Sequence, residues 1–133
     1  MALIVADRSV MQWDKENIPD EDSLYRWVHR EKLTANGGIR AGAFSDNRGA
    51  MSTDWSKYST PNETRQRAAI GTPEECAVIA LPVGAVRVLD QTVEHDPLSE
   101  NRAHTNVIGD KTDIEIRYKL QQISQIVIAI NSQ

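Results

Sequence analysis

The sequence has a single cysteine, a single phenylalanine and no apolar stretch long enough to cross a bilayer. With one thiol, Cys76, no internal disulfide can form, which fits a reducing compartment and an expected cytoplasmic location. Cys76 follows Glu74 and Glu75 and opens an apolar run. Those carboxylates disfavour a thiolate, so Cys76 reads as a buried structural thiol rather than a nucleophile. The longest apolar runs, 77–83 and 126–130, suit strands rather than membrane spans. The opening Met1-Ala2-Leu3-Ile4-Val5-Ala6 lacks a basic region, so no signal peptide is expected. An excess of positive charge is missing too. Fifteen basic residues against nineteen acidic ones leave a net charge of −4, which argues against binding nucleic acid through a broad basic face. No pair of His or Cys stands at zinc-ligand spacing, and there is no H-E-x-x-H, calcium loop, P-loop or G-x-G-x-x-G. Neither a metal nor a cofactor is expected. Internal repeats and low-complexity tracts are absent.

What is present is an ordinary globular balance. The chain has 133 residues, 40% apolar and 26% charged, enough for one domain with a continuous core. At 5% aromatics, that core must rest on Val, Ile, Leu and Ala. Leu3 to Ala6 could form a short strand, and the acidic stretch around Pro19 reads as a surface loop. Leu24-Tyr25-Arg26-Trp27-Val28-His29 has three bulky β-formers, so a strand is favoured over a helix capped by Ser23. A helical turn from residue 30, closed by Asn36-Gly37-Gly38, leads to a short strand over 39–44. Thr60-Pro61 with Glu63 is a capping box that should start a polar surface helix ending near Gly71. A doubly buried strand is expected over 76–83, a second strand over 85–93 and a third over 104–108. Thr112-Asp113-Ile114-Glu115 reads as another capping box. A helix over 113–124 is preferred there to the competing alternation of Ile114, Ile116, Tyr118 and Leu120. Residues 126–130 close the chain as a buried strand. The expected fold class is α+β: a single domain with a small mixed or antiparallel sheet and two or three helices.

Candidate chemistry concentrates in 92–110. His95 and His104 flank a turn marked by Asp96-Pro97, and two imidazoles there would suit an acid/base pair. Arg102 could hold a phosphate or carboxylate as a bidentate donor. Asp96 and Asn101 complete the loop's polar set. Arg26 and His29 could approach from the early strand, Arg26 as a ligand contact and His29 as a third titratable group. The bland alternative is a polar hairpin whose side chains cap the turn.

Arg26 and His29, with Ser45, Ser52, Asp54 and Tyr58, loosely resemble the way ADP-ribosyltransferase-like folds present a dinucleotide site. The likeness spans 24–52, and no catalytic glutamate follows at a recognisable position. The favoured reading makes Arg26 a partly exposed strand residue and places Trp27 and Trp55 in the core or on its rim. The wording around Leu24-Tyr25-Arg26-Trp27-Val28-His29, Ser52-Thr53-Asp54-Trp55, Val93-Glu94-His95-Asp96-Pro97 and Asn101-Arg102-Ala103-His104 resembles a family of small bacterial proteins without an assigned activity. That resemblance implies a bacterial, cytoplasmic origin and nothing about chemistry.

Two functional expectations follow. One is a small hydrolase or transferase acting on a phosphorylated or nucleotide-like substrate, an anionic ligand. The other is a non-catalytic interaction module, one partner of a two-protein system, anchored by exposed Trp13 or Trp55.

Overall fold

Among the described residues six antiparallel strands form one sheet, and the alternation of side chains along them sets which residues reach the core. In this computed structural model residues 13–46 and 48–130 are described, so the expected strand over 3–6 lies outside them. The strands are β1 (Ser23–His29), β2 (Ala50–Trp55), β3 (Cys76–Pro82), β4 (Thr92–His95), β5 (His104–Ile108) and β6 (Gln125–Ile128). Their order across the sheet is β4-β5-β2-β1-β3-β6. Among the described residues three α-helices accompany it: α1 (Pro61–Gln66), α2 (Val83–Val88) and α3 (Ile114–Ile123). This is a small single-domain α+β fold, and its sheet is antiparallel throughout.

Along β1 and β2 the period of two decides what is buried. Leu24 and Val28 of β1, and Met51, Thr53 and Trp55 of β2, are all buried. The apolar four meet Phe44, Leu81, Val83, Val86 and Leu120 in one core, and each large apolar side chain there contributes roughly 1.5–3 kcal/mol on burial. The alternate residues, Tyr25 and Trp27 of β1 and Ser52 and Asp54 of β2, face the other way, toward α1. That second face carries Ser52 and Asp54, whereas Arg26 leaves β1 on the side of Leu24 and Val28.

Three expected elements differ. Residues 39–44 are not a strand: Ile39 makes one isolated bridge to Leu33 and Ala41–Phe44 is a 3-10 turn. Both neighbours of β1 are already in place, and the turn plugs buried Ala43 and Phe44 into the core instead. The stretch 85–93 divides. Its first part belongs to α2, because a helix brings Val83 and Val86 onto one buried side and leaves Val88 80% exposed; a strand would have aligned Val86 with Val88. β6 is an edge strand rather than a buried one, with Ile126 and Val127 exposed. The Thr60 capping box forms as expected, Glu63 N–H donating to Thr60 Oγ1 at 3.1 Å and Thr60 N–H to Glu63 Oε1 at 2.8 Å. The helix stops at Gln66, short of Gly71. At α3 the cap is Asp113, whose carboxylate accepts from Glu115 N–H, rather than Thr112. Cys76 is a buried free thiol, and burial raises its pKa.

One buried charge ties the far end of the sheet. Lys111 is 1% exposed, and its ammonium donates to Asp46 Oδ2 at 3.1 Å and to the carbonyls of Gly49 and Gly109 at 2.9 Å each. Gly109, at φ +157°, leaves room there for Gln91, whose amide would lie 2.6 Å from an added Cβ. No helix among the described residues is long and apolar enough to cross a membrane.

Candidate functional site

β1 and β2 pair only through Leu24 with Trp55 and Tyr25 with Asp54. Beyond that point the strands splay, and the Arg26 guanidinium takes the place of the missing ladder. Its Nε–H donates to Ala43 O at 3.0 Å, and its terminal nitrogens donate to Ser52 O at 2.7 Å and Ser45 O at 3.2 Å. A guanidinium carries five N–H groups, so these three bonds leave two uncommitted among the described residues. Burial lowers the Arg26 pKa to about 10, with Asp46 opposing the shift; the group is cationic at neutral pH. Asp46 is itself bridged by Lys111, so it does not cancel Arg26's charge.

Arg26 borders a cleft of about 150 Å³, lined also by Tyr25, Trp27, Ser52, Asp54, Thr64, Arg67, Asn101 and His104. At ~30 Å³ of liquid per water it holds a few solvent molecules. It is smaller than the ~300–1,000 Å³ of pockets that enclose whole cofactor-sized ligands. Only the end of a larger molecule would enter.

Buried Asp54 is the floor. Thr64 Oγ1–H and Arg67 Nη1–H both donate to its Oδ2 at 2.7 Å, and Asn101 Nδ2–H donates to its Oδ1 at 2.9 Å. These bonds tie α1, β2 and the turn before β5 into one unit. Arg67 Nη1 also donates to Ser59 Oγ at 3.0 Å, which leaves its Nε and Nη2 protons without partners among the described residues.

His104 stands at the rim, and its tautomer follows from its partners. Nδ1 lies 2.9 Å from the carbonyl of Asp96. A carbonyl only accepts, so Nδ1 carries the proton and Nε2 is left as an acceptor. Nε2 lies 3.3 Å from Ser52 Oγ, so the hydroxyl donates to it. The Asp96 carboxylate is 3.6 Å from Nδ1 and accepts from Asn106 Nδ2–H at 3.1 Å. An exposed serine, a half-buried imidazole and a carboxylate thus stand in sequence.

The expected His95–His104 pair does not form. His95 pairs with Thr105 across the β4–β5 ladder, so neighbouring His104 projects from the opposite face. His95 is 2% exposed and packs edge-on against Trp55, with centroids 5.1 Å apart, and stacks on Tyr58 at 6.0 Å. Its Nδ1 accepts from Glu16 N–H at 3.0 Å, so its Nε2 carries the proton and donates to Arg102 O at 2.7 Å. Both nitrogens serve the fold. Arg102 leaves the cleft as well: its guanidinium lies 4.1 Å above the Tyr58 ring and 5.8 Å from Trp13, with Glu16 3.9 Å away. His29 lines a neighbouring depression with Glu31, Lys32 and Ile70, and its Nδ1 accepts from Glu31 N–H. Trp55 is 1% exposed and offers no docking anchor.

Of the seven residues singled out in the sequence, Arg26, Asn101 and His104 line the cleft and Asp96 stands behind His104. Thr64 and Arg67 were not foreseen, because a short polar helix reads as solvated surface. Ser52 and Asp54 stood beside Arg26 in the discounted grouping; their signal is alternation with buried Met51, Thr53 and Trp55. Among the described residues no three or more His, Cys, Asp or Glu side chains gather as metal ligands would. No family model, curated protein or solved structure matches this chain.

Proposed function

We propose that the cleft is the active site of a small bacterial, cytoplasmic hydrolase or transferase acting on the anionic end of a phosphorylated or nucleotide-like substrate. His104 acts alone as its acid/base. The observation that carries this reading is the hydrogen-bond geometry of the His104 ring. The Asp96 carbonyl holds the proton on Nδ1, and the basic Nε2 faces Ser52 and the cleft. A base so oriented is worth roughly 10²–10⁴ in rate. Arg26 adds an uncancelled positive charge with N–H groups to spare, and Arg67 adds a second guanidinium. Guanidinium forks match phosphoryl and carboxylate oxygens. Asp54 does not repel such a ligand, because its charge is paired with Arg67. The volume admits one end group, so the remainder of the substrate would lie over Tyr25 and Trp27.

The test is turnover of phosphomonoesters, phosphodiesters and nucleotides by purified protein and by His104→Ala. The expected result is hydrolysis or transfer of at least one class, lost in the variant while its circular dichroism is unchanged. Turnover that persists in His104→Ala, or none with any class, contradicts the proposal. The alternative, an interaction module, rests on the exposed apolar edge of β6, Ile126 and Val127. It predicts self-association on size exclusion that Val127→Lys abolishes.

A further inference from the structure

We propose that Ser52 is the nucleophile of this cleft and that the group it takes up is a phosphoryl group. The inference rests on the cleft being catalytic and goes beyond that reading by assigning a covalent step. Three placements support it. Ser52 is exposed although it lies mid-strand, and its Oγ is the group that the acceptor nitrogen of His104 faces. The ring is oriented from behind by the Asp96 carbonyl, with the Asp96 carboxylate 3.6 Å from Nδ1 ready to offset charge on the ring. Nucleophile, base and orienting group in hydrogen-bond reach are the signature of an activated hydroxyl. Finally, Arg26 binds the backbone carbonyl of Ser52 itself at 2.7 Å and lines the same cleft, so a guanidinium with N–H groups to spare borders the space in front of the serine. Two guanidinium groups in one small cleft suit the several equatorial oxygens of a phosphoryl group in transfer.

In the first half-reaction Ser52 Oγ attacks phosphorus and its proton passes to His104 Nε2. The Oγ–P bond forms as the bond from phosphorus to the leaving oxygen breaks. The imidazolium returns its proton to that oxygen. In the second half, water or an acceptor hydroxyl attacks the phosphoserine. His104 takes the attacking group's proton and delivers it to Ser52 Oγ as the Oγ–P bond breaks.

Two probes that need no knowledge of the natural substrate test this: diisopropyl fluorophosphate, which loses fluoride on attack, and the small anion acetyl phosphate. Peptide mass spectrometry after acid quench should find the adduct on Ser52 in the intact chain, with none on Ser52→Ala. Formation should be slower by roughly 10²-fold or more in His104→Asn. Absence of an adduct at Ser52 with both probes overturns the proposal, as does labelling that proceeds equally fast in His104→Asn. Turnover of a phosphate ester that survives Ser52→Ala but not His104→Ala means that water attacks directly. In that case the nucleophile assignment falls and the active-site reading stands. An adduct on Ser52 without turnover of any ester supports the nucleophile and removes the proposed substrate class.

Discussion

Replacing Asp54 by asparagine keeps the shape of the cleft floor and reverses half of its hydrogen bonding. Oδ2 receives two donors, Thr64 Oγ1–H and Arg67 Nη1–H, so the amide oxygen of the variant must take that position. Its NH2 group then faces the Nδ2–H of Asn101. Asn101 cannot turn its amide to compensate, because its Oδ1 accepts from Ala103 N–H at 3.1 Å. One donor–donor contact therefore remains inside a buried cluster, costing roughly 1–3 kcal/mol. The bonds to Arg67 and Thr64 survive but lose their charge assistance, worth about half their strength. Arg67's side chain is 32% exposed, so water offsets part of that loss. The sum is about 2–4 kcal/mol of destabilisation. Urea unfolding followed by tryptophan fluorescence measures it. The partner substitution Asn101→Asp, added to Asp54→Asn, supplies an acceptor to both the introduced amide and Ala103 N–H, and should recover part of the loss. A change below about 0.5 kcal/mol in Asp54→Asn, or a double variant as unstable as the sum of the two singles, would mean that the Asn101 donor is not held against Asp54 as described.

Arg26→Lys keeps the charge but loses the fork. An ammonium cannot reach the Ala43, Ser45 and Ser52 carbonyls in the same geometry, so urea titration should show a loss of roughly 1–3 kcal/mol. If the active-site reading is right, kcat/KM falls by more than that stability change accounts for in fully folded protein. The Glu16 latch makes stability depend on pH. Hydrogen bonds from Lys57 and Tyr58 hold its carboxyl below the usual value of 4.5. A lowered folded-state pKa contributes stability that is fully present above 4.5 and lost as pH falls through the folded value. The stability gap between the wild type and Glu16→Gln should therefore be constant near neutrality and close only below pH 4.5. A gap that widens in acid contradicts it.

The parts of this fold that were legible in the sequence are those where local chemistry and tertiary packing agree. The Thr60-Pro61-Glu63 cap specifies its helix by itself, and the aromatic and β-branched run of β1 favours a strand over the competing Ser23-capped helix; both form. Residues 83–88 could be helix or strand locally. Their placement depends on whether Val83 and Val86 or Val86 and Val88 reach the core, which only the neighbouring strands decide. The site was legible as residue types and not as geometry. The one-residue offset that sends His95 inward and His104 outward depends on the β4–β5 register. Arg26 entered the site because β1 and β2 separate after two pairs, a feature with no local signature. Arg67 was hidden for a different reason: its role comes from a carboxylate 13 residues away in the chain.

The two histidines also provide the most direct test. Long-range nitrogen–proton correlation spectra of the neutral imidazoles report which nitrogen carries the proton. Opposite tautomers are expected in one protein: Nε2–H for His95, held by Glu16 N–H and Arg102 O, and Nδ1–H for His104, held by Asp96 O. Ser52→Ala should leave both assignments unchanged, because the Asp96 carbonyl alone fixes the His104 proton. An Nε2–H tautomer at His104, or averaging between its two forms, would mean that its basic nitrogen does not face Ser52 and the cleft. The proposed chemistry would then have no base.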